Sequence, residues 1–406
     1  MKNEAHWHIV SLEDVAEIQT GLSKSSSRQG DFITMPYLRV ANVQDGHFDL
    51  SEVKEIEVPR NSVERFRVKE GDVLLTEGGD FDKLGRGAVW RGQIKDCVHQ
   101  NHVFVVRPNL TSLDERFLAY QTQGARGKAY FQACSKQSTN LASINSSQLR
   151  QFPTALPPLP EQRKIADILS TWDEALTQLD ALIEAQERRK KALMQQLLTG
   201  RRRLNGFSKP WKHKRLDAVF ERVERAIGGE PKHVLSITAG TGFVDQREKF
   251  SRVIAGRNIE NYVLLKEGEF SYNKGNSDRY PQGCVYRLEE FEQGAVPNVW
   301  ISFRLRSDSD SPLFYKHFFL YGGLNHGLHR LINAGVRNDG LLNLTASNFF
   351  SVTVPTLQPA EQAKLGELFE NLSILIKNLR TQRTALDQQK RGLMQRLLTG
   401  KFRVKL

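Results

Sequence analysis

Residues 161–200 and 361–400 are two versions of one segment, in register at an offset of 200 without a gap. Each begins Glu-Gln; the first closes on Leu-Met-Gln-Gln-Leu-Leu-Thr-Gly and the second on Leu-Met-Gln-Arg-Leu-Leu-Thr-Gly. A long internal period constrains the fold more than any composition does, because each copy must be built as the same kind of structural unit. Within the copies the apolar positions step alternately by four and three. The first gives Ile165, Leu169, Trp172, Leu176, Leu179, Ile183, then Leu193 and Leu197; the second gives Leu365, Phe369, Leu372, Ile376, Leu379, then Leu386, Leu393 and Leu397. That is a heptad seam. Prolines stand before each segment (Pro157, Pro158 and Pro160; Pro355 and Pro359), and Gly200 and Gly400 end them. The pattern predicts two helices of about 39 residues, each roughly 58 Å long at 1.5 Å per residue.

Polar residues interrupt the seams at Gln186 and Lys190 and at Arg383 and Lys390. Such interruptions cost stability and fix register when a partner helix answers them; identical length, phase and stop signals lead to the expectation that the two helices pair with each other, the alternative being that each packs separately onto its own domain. The stretches between the helices repeat more weakly, at an offset of 197. Tyr37-Leu38-Arg39-Val40 aligns with Val234-Leu235-Ser236-Ile237, Glu70-Gly71-Asp72 with Glu267-Gly268-Glu269, and Asn101-His102-Val103-Phe104 with Asn298-Val299-Trp300-Ile301. These are short β-rich runs bounded by glycine and polar turns. The expected organisation is a mixed globular domain over 1–156, a helix over 157–205, a second domain over 206–354 and a second helix over 355–406. The link from Gly200 to Trp211 resembles the tail Gly400–Leu406 joined to the opening Met1–Trp7, and Leu12 and Val15 match Leu216 and Val219. Two equivalent halves in a nearly closed ring imply a pseudo-two-fold axis, under which the helices run antiparallel.

The formal net charge of +12 favours a polyanionic partner. Residues 1–156 are balanced at 19 basic and 19 acidic side chains, whereas 355–406 hold 10 and 4, so the excess lies in the second half. The segment 186–215 alone carries eleven Lys or Arg against Glu187; it is read either as a phosphate-neutralising surface or as a solvated helix end. No apolar run reaches the length of a membrane helix and the N-terminus has no signal-peptide pattern, so a cytoplasmic protein is expected. Cys97, Cys134 and Cys284 lack Cys-x-x-Cys spacing and are expected to be reduced, buried thiols.

The order of domain, helix with a Leu156-Pro157-Pro158-Leu159-Pro160-Glu161-Gln162 start and a Leu-Leu-Thr-Gly exit, domain, and second such helix resembles the specificity subunits of type I restriction–modification enzymes over the whole chain. The phrases Glu70-Gly71-Asp72-Val73-Leu74-Leu75 and Phe270-Ser271-Tyr272-Asn273-Lys274-Gly275 are similar to patterns in that family's target recognition domains. The second helix start, Val354 to Gln362, is less proline-dense. The resemblance implies an α+β fold: two mixed α/β target recognition domains separated by two long antiparallel coiled-coil spacer helices. Each domain would read one half of a bipartite, asymmetric double-stranded DNA target, and the helices would set the spacing and dock two methyltransferase (modification) subunits. Restriction/translocase subunits would complete the complex. It further implies no cofactor in this chain, with S-adenosylmethionine, ATP and Mg belonging to the partners, and no membrane.

Catalytic signatures do not compete with this reading. There is no Gly-x-x-x-x-Gly-Lys-Ser/Thr and no Asn-Pro-Pro-Phe/Tyr or Asp-Pro-Pro-Tyr. Gly240-Thr241-Gly242 is read as a plain turn, Glu52-Val53-Lys54 with Asp49 as a charged strand, and His326 with His329 as polar loop or helix residues without a third metal ligand. No catalytic or metal residue is assigned. DNA contacts require long cationic or amide side chains on loops. The first domain offers Lys24, Arg28, Lys83, Arg86, Arg126, Lys128, Lys136 and Gln137. The second offers Arg247, Arg257, Asn258, Asn273, Lys274, Asn276, Arg279, Arg330, Arg337 and Asn338. The alternative is a coiled-coil scaffold that binds no specific DNA sequence.

Overall fold

In this computed structural model the described residues are 7–406, apart from 24–30, 82–83, 138–141, 239, 251–255, 276, 278–279 and 333–340 and the side chains of 136–137 and 256–258. The fold is α+β. Two helices of 39 residues, Leu159–Leu197 and Pro359–Leu397, stand where the heptads place them. The chain forms two compact units, and the cut falls in the middle of both helices. One unit is Met1–Asp180 with Thr381–Leu406, and the other is Ala181–Arg380. Each unit therefore owns a globular domain, the first half of the helix that follows it, and the last half of the other helix.

Within each unit the two helix halves run antiparallel. In the first unit Arg383 binds Asp180 at 3.1 Å and Lys390 binds Asp173, so one helix descends as the other rises. In the second, Arg380 binds Glu187 and Lys190 binds Ser373 Oγ at 2.6 Å. Three of the four polar interruptions of the seam are thus answered; the Gln186 side-chain oxygen is buried without a hydrogen bond among the described residues. Ile165, Leu169, Leu176, Ile183, Leu197, Leu365, Phe369, Leu372, Ile376 and Leu397 are buried, and Trp172, Leu179, Leu193, Leu379, Leu386 and Leu393 are half-buried. The seam does not serve helix pairing alone. Ile165 and Leu169 join Met394, Leu397 and Leu398 inside the first domain's core, and Leu365 and Phe369 join Met194, Leu197 and Leu198 in the second.

Both domains are built on one frame. In the first, a four-stranded antiparallel sheet has the order 16–20, 103–108, 73–76, 87–89; in the second the order is 220–222, 301–305, 270–273, 284–287. A ribbon joins each domain's beginning to its end, His8–Ser11 with Pro153–Leu156 and Lys212–Arg215 with Thr353–Thr356. The turns Glu70-Gly71-Asp72 and Glu267-Gly268-Glu269 need a left-handed residue, and Gly71 and Gly268 supply it at φ 88° and 85°. The acid that follows accepts a two-pronged arginine pair in each case, Asp72 from Arg107 and Glu269 from Arg225.

The repeated Glu-Gln now has a physical role. Gln162 accepts from the Asp114 N–H and donates to the Ser112 carbonyl, tying the start of the long helix to the capped start of the domain helix Glu115–Gln123. Gln362 does the same with Ser311 N–H and Asp310, before the domain helix Pro312–Leu320. Glu161 takes both prongs of Arg403, from the tail after the second helix, and Glu361 takes both prongs of Arg203, after the first. Arg403 lies over Trp7 and Arg203 over Trp211. The correspondence between tail and link anticipated from the sequence is met inside each unit.

One expectation needs correction. Cys97 is fully buried, but Cys134 and Cys284 are only half-buried, because each sits at the end of an element. All three thiols are free, and burial pushes Cys97 up to about 12 and Cys284 to about 11. Gly240-Thr241-Gly242 is a turn joining the hairpin strands 235–238 and 242–245. No helix among the described residues is long and apolar enough to cross a membrane.

Candidate nucleic-acid interface

Part of the candidate set lies at one sheet edge of each domain, Lys136 and Gln137 in the first and Asn273 and Lys274 in the second. After the strand 73–76, Gly78–Gly79 pairs with Ala142–Ser143, and that strand pairs in turn with Lys136–Gln137. Three separated stretches of the first domain thereby form a small sheet. In the second domain the stretch after strand 270–273 turns the same way: Gly275 bridges Leu341, and the Leu342 N–H donates to the Lys274 carbonyl. Gly78 and Gly275 correspond at the offset of 197, so the frame delivers the same edge twice.

The chemistry presented there differs. In the first domain Glu77 stands beside the edge and holds His102 through Nδ1, while the Glu77 N–H donates to the His102 carbonyl and the Glu77 carbonyl accepts from Ile144. In the second, the equivalent position is Lys274, whose ammonium reaches the Leu344 carbonyl at 3.4 Å. Asn273 is half-buried and its side-chain oxygen accepts from the Gly275 N–H, which fixes the bend. One edge offers an acid–imidazole pair and the other a cation beside an amide.

The remaining candidates spread over several surfaces. Arg86 is half-buried and donates to the Val40 carbonyl at 3.2 Å, so it braces the neighbouring loop. Arg126 is exposed in the first turn of helix Ala125–Cys134; Lys128, on the same helix, is paired with Asp45 at 2.8 Å. Exposed pairs of that kind are worth about 0–1 kcal/mol, which leaves Lys128 available to a phosphate. Arg247 is exposed on the short helix Gln246–Phe250, and Arg330 on Asn325–Leu331 beside the exposed His326 and His329. Arg257 and Asn258 lie in the turn Gly256–Asn261, with side chains outside the described residues, as are those of Lys136 and Gln137. Lys24, Arg28, Lys83, Asn276, Arg279, Arg337 and Asn338 lie outside the described residues altogether.

Glu77 and His102 were not singled out from the sequence. Their signal was present, since Asn101-His102 belongs to the weak repeat and Gly78-Gly79 follows an apolar strand, but an acid beside a predicted DNA edge reads as unfavourable until its histidine is seen. Glu52 is held below the usual carboxylate range by Arg39 and then Lys54, and Asp49 by Ser51, so each is occupied within its own loop.

Comparison with known proteins agrees with this architecture. Residues 4–187 match the family model of the type I restriction modification DNA specificity domain. A putative type I restriction enzyme MjaX specificity subunit of Methanocaldococcus jannaschii is 24% identical over 98% of this chain and 94% of its own length. The MjaVIII specificity subunit of the same organism is 22% identical over 91% and 86%. Among solved structures, the S subunit of a type I restriction-modification system from M. genitalium superposes with a TM-score of 0.58 at 15% identity, covering 98% of this chain and 97% of that one.

Proposed function

We propose that the chain is a member of the family of type I restriction–modification specificity subunits, a reading supported by its match to the specificity-domain model and to the MjaX subunit, and that it is the DNA-reading, non-catalytic component of such a complex. Each recognition domain reads one half of a bipartite, asymmetric target in double-stranded DNA. The paired helices set the gap between the halves and offer the surface on which two modification subunits dock, with restriction/translocase subunits completing the nuclease. Adenine methylation with S-adenosylmethionine, and ATP- and Mg-dependent translocation and cleavage, are assigned to those partners.

The observation that carries this reading is the duplicated edge with different chemistry: one frame presents Glu77 and His102 in one copy and Asn273 and Lys274 in the other. Base edges are distinguished by their donor and acceptor pattern, so two frames carrying opposite charges read different half-sites. Readers on one face of B-DNA must be separated by about one turn, roughly 34–36 Å, and a rigid helical spacer meets that requirement.

The test is to express the chain with the modification subunit of its host and to read the methylated motif from genomic DNA. Two different half-sites at a fixed gap are expected, and replacing residues 1–156 with the equivalent domain of a related subunit should change one half alone. Methylation by the purified chain without modification subunits, or a change in both halves, would overturn the proposal.

A further inference from the structure

In each unit the recognition domain meets both long helices at one acidic junction. In the first, Asp173 on the first long helix accepts from the Tyr120 hydroxyl at 2.6 Å and from the Lys390 ammonium. Tyr120 belongs to the domain helix Glu115–Gln123, and Lys390 to the antiparallel second long helix. Lys390 also lies over the Tyr120 ring, 5.6 Å from its centre, and Ser170, one turn before Asp173, touches the same hydroxyl at 3.2 Å. In the second unit Glu370 accepts from His317 Nε2 at 3.0 Å and Lys316 Nζ at 2.8 Å, both on the domain helix Pro312–Leu320. Lys190, from the antiparallel first long helix, binds Ser373 one turn later.

At the offset of 200 these positions correspond, but the acid and the serine have changed places. The first unit has Ser170 and Asp173; the second has Glu370 and Ser373. Lys190 and Lys390 are unchanged. In the first unit a single carboxylate therefore holds the domain and the opposing helix, whereas in the second the carboxylate holds the domain and the serine holds the opposing helix. Lys390 and Lys316 are each only 13% exposed, whereas Asp173 is 42% and Glu370 24% exposed, so the lysines are held in place while the carboxylates stay partly open to water.

We propose that Asp173 and Glu370 are positioning residues that fix the angle of each recognition domain on its helix pair, and through that angle the length of the gap between half-sites. This rests on the spacing role proposed above. A slide of the second helix past the first carries Lys390 with it, and Asp173 passes the displacement to Tyr120 and so to the domain. In the second unit a slide is borne by Ser373, and Glu370 keeps the domain in place. Asp173 thus couples helix register to domain angle, and Glu370 holds domain angle alone.

The experiment uses the full chain with its host modification subunit and reads the distribution of gap lengths among methylated sites in genomic DNA. The variants are Asp173→Asn and Glu370→Gln, with Tyr120→Phe and Lys316→Gln as milder variants that decide the matter if the first pair fail to fold. The expected result is a single gap length for the parent chain. Folded variants should keep both half-sites but show on the order of tenfold more methylation at adjacent gap lengths, as loss of a charge-assisted hydrogen bond implies, with the larger spread for Asp173→Asn. A merely structural role would lower thermal stability without altering the gap. Folded variants with the parent's sharp distribution would overturn the proposal, while a parent chain that already methylates several gap lengths would instead overturn the spacing role.

Discussion

The two units carry one sheet on different side chains. At strand positions related by 197 residues the first unit has Val73, Leu75, Phe104 and Val106, and the second has Phe270, Tyr272, Ile301 and Phe303, all buried. Strand order and the left-handed glycine turns are unchanged. What is shared is backbone pairing, turn geometry and the anchoring of the long helices; what varies is how the volume is filled. In the second unit the rings stand on the strands, with Phe220 packed 5.2 Å from Phe303 and 5.8 Å from Phe270. In the first, Phe104 is the one ring among these strand positions and other rings come from outside the sheet, with Phe131 stacked on Phe152 at 5.2 Å. Beyond this sheet the units keep part of their pairing, since Tyr37 with Val98 and Arg67 with Val98 correspond at the offset of 197 to Val234 with Ala295 and Leu264 with Ala295, and they differ in the rest. The first adds a three-stranded sheet of 54–59, 32–38 and 98–99, while the second adds the ribbons 235–238 with 242–245 and 263–266 with 293–296. The two units share the frame and differ in the outlying part, as the proposed modular reading would require.

The largest effect should separate the cores. Phe303→Ala removes a ring touching Phe220, Phe270, Phe319 and Phe349 and should cost about 3–5 kcal/mol. Val106→Ala at the matching position removes less and should cost clearly less in denaturant melts. Equal losses would mean that the two cores are not filled in different ways.

The anchors should differ next. Glu361 is fully buried and accepts from both Arg203 and the Trp211 indole N–H, whereas among the described residues Glu161 accepts from Arg403 and the buried Trp7 indole N–H has no hydrogen-bond partner. Removing a buried partner from such a pair costs about 3–5 kcal/mol. Glu361→Ala is expected near that range and Glu161→Ala below it, because Arg403 is 44% exposed against 22% for Arg203. Calorimetry of both variants decides the order.

A smaller difference should appear with pH. Burial holds His99 in the first unit down to about 4 and lowers His317 in the second. A histidine that stays neutral when folded and takes a proton when unfolded destabilises the fold as pH drops below about 6.5, and for His99 the loss continues to about 4. In the second unit Glu370, held near 2 by His317 and Lys316, extends the decline, since its contribution is full above about 4.5 and fades as pH falls toward 2. Melting temperatures between pH 7 and 4 should fall for the parent chain and fall less for His99→Gln. An unchanged slope would contradict the assignment.

The helices were legible from the sequence because their signal is periodic and local: every seam residue is buried or half-buried, and the two 39-residue spans follow from Pro and Gly punctuation. Met194, Met394, Leu198 and Leu398 were not assigned to the seam, since they fall outside its steps of four and three; they join Leu197 and Leu397 in the domain cores, together with residues of the opposing helix. The duplicated sheet was only faintly legible, because exchanging Val106 for Phe303 leaves no identity while the backbone stays the same. The edge could not be assembled from sequence at all. Gly78, Ser143 and Lys136 meet through long-range pairing, and Arg86 and Lys128, alike in sequence as free cations, turn out to hold the Val40 carbonyl and Asp45.

The proposed role of the helix pair as a ruler is tested most directly by lengthening it. Inserting seven residues after Asp180 and seven after Arg380 keeps the heptad phase and leaves Asp180 with Arg383, and Glu187 with Arg380, inside their own units. The spacer lengthens by about 10 Å at 1.5 Å per residue. Genomic methylation by the double-insertion chain with its modification subunit should retain both half-sites and widen the gap by up to roughly three base pairs at about 3.4 Å each; an unchanged gap in a folded, active protein would contradict the account.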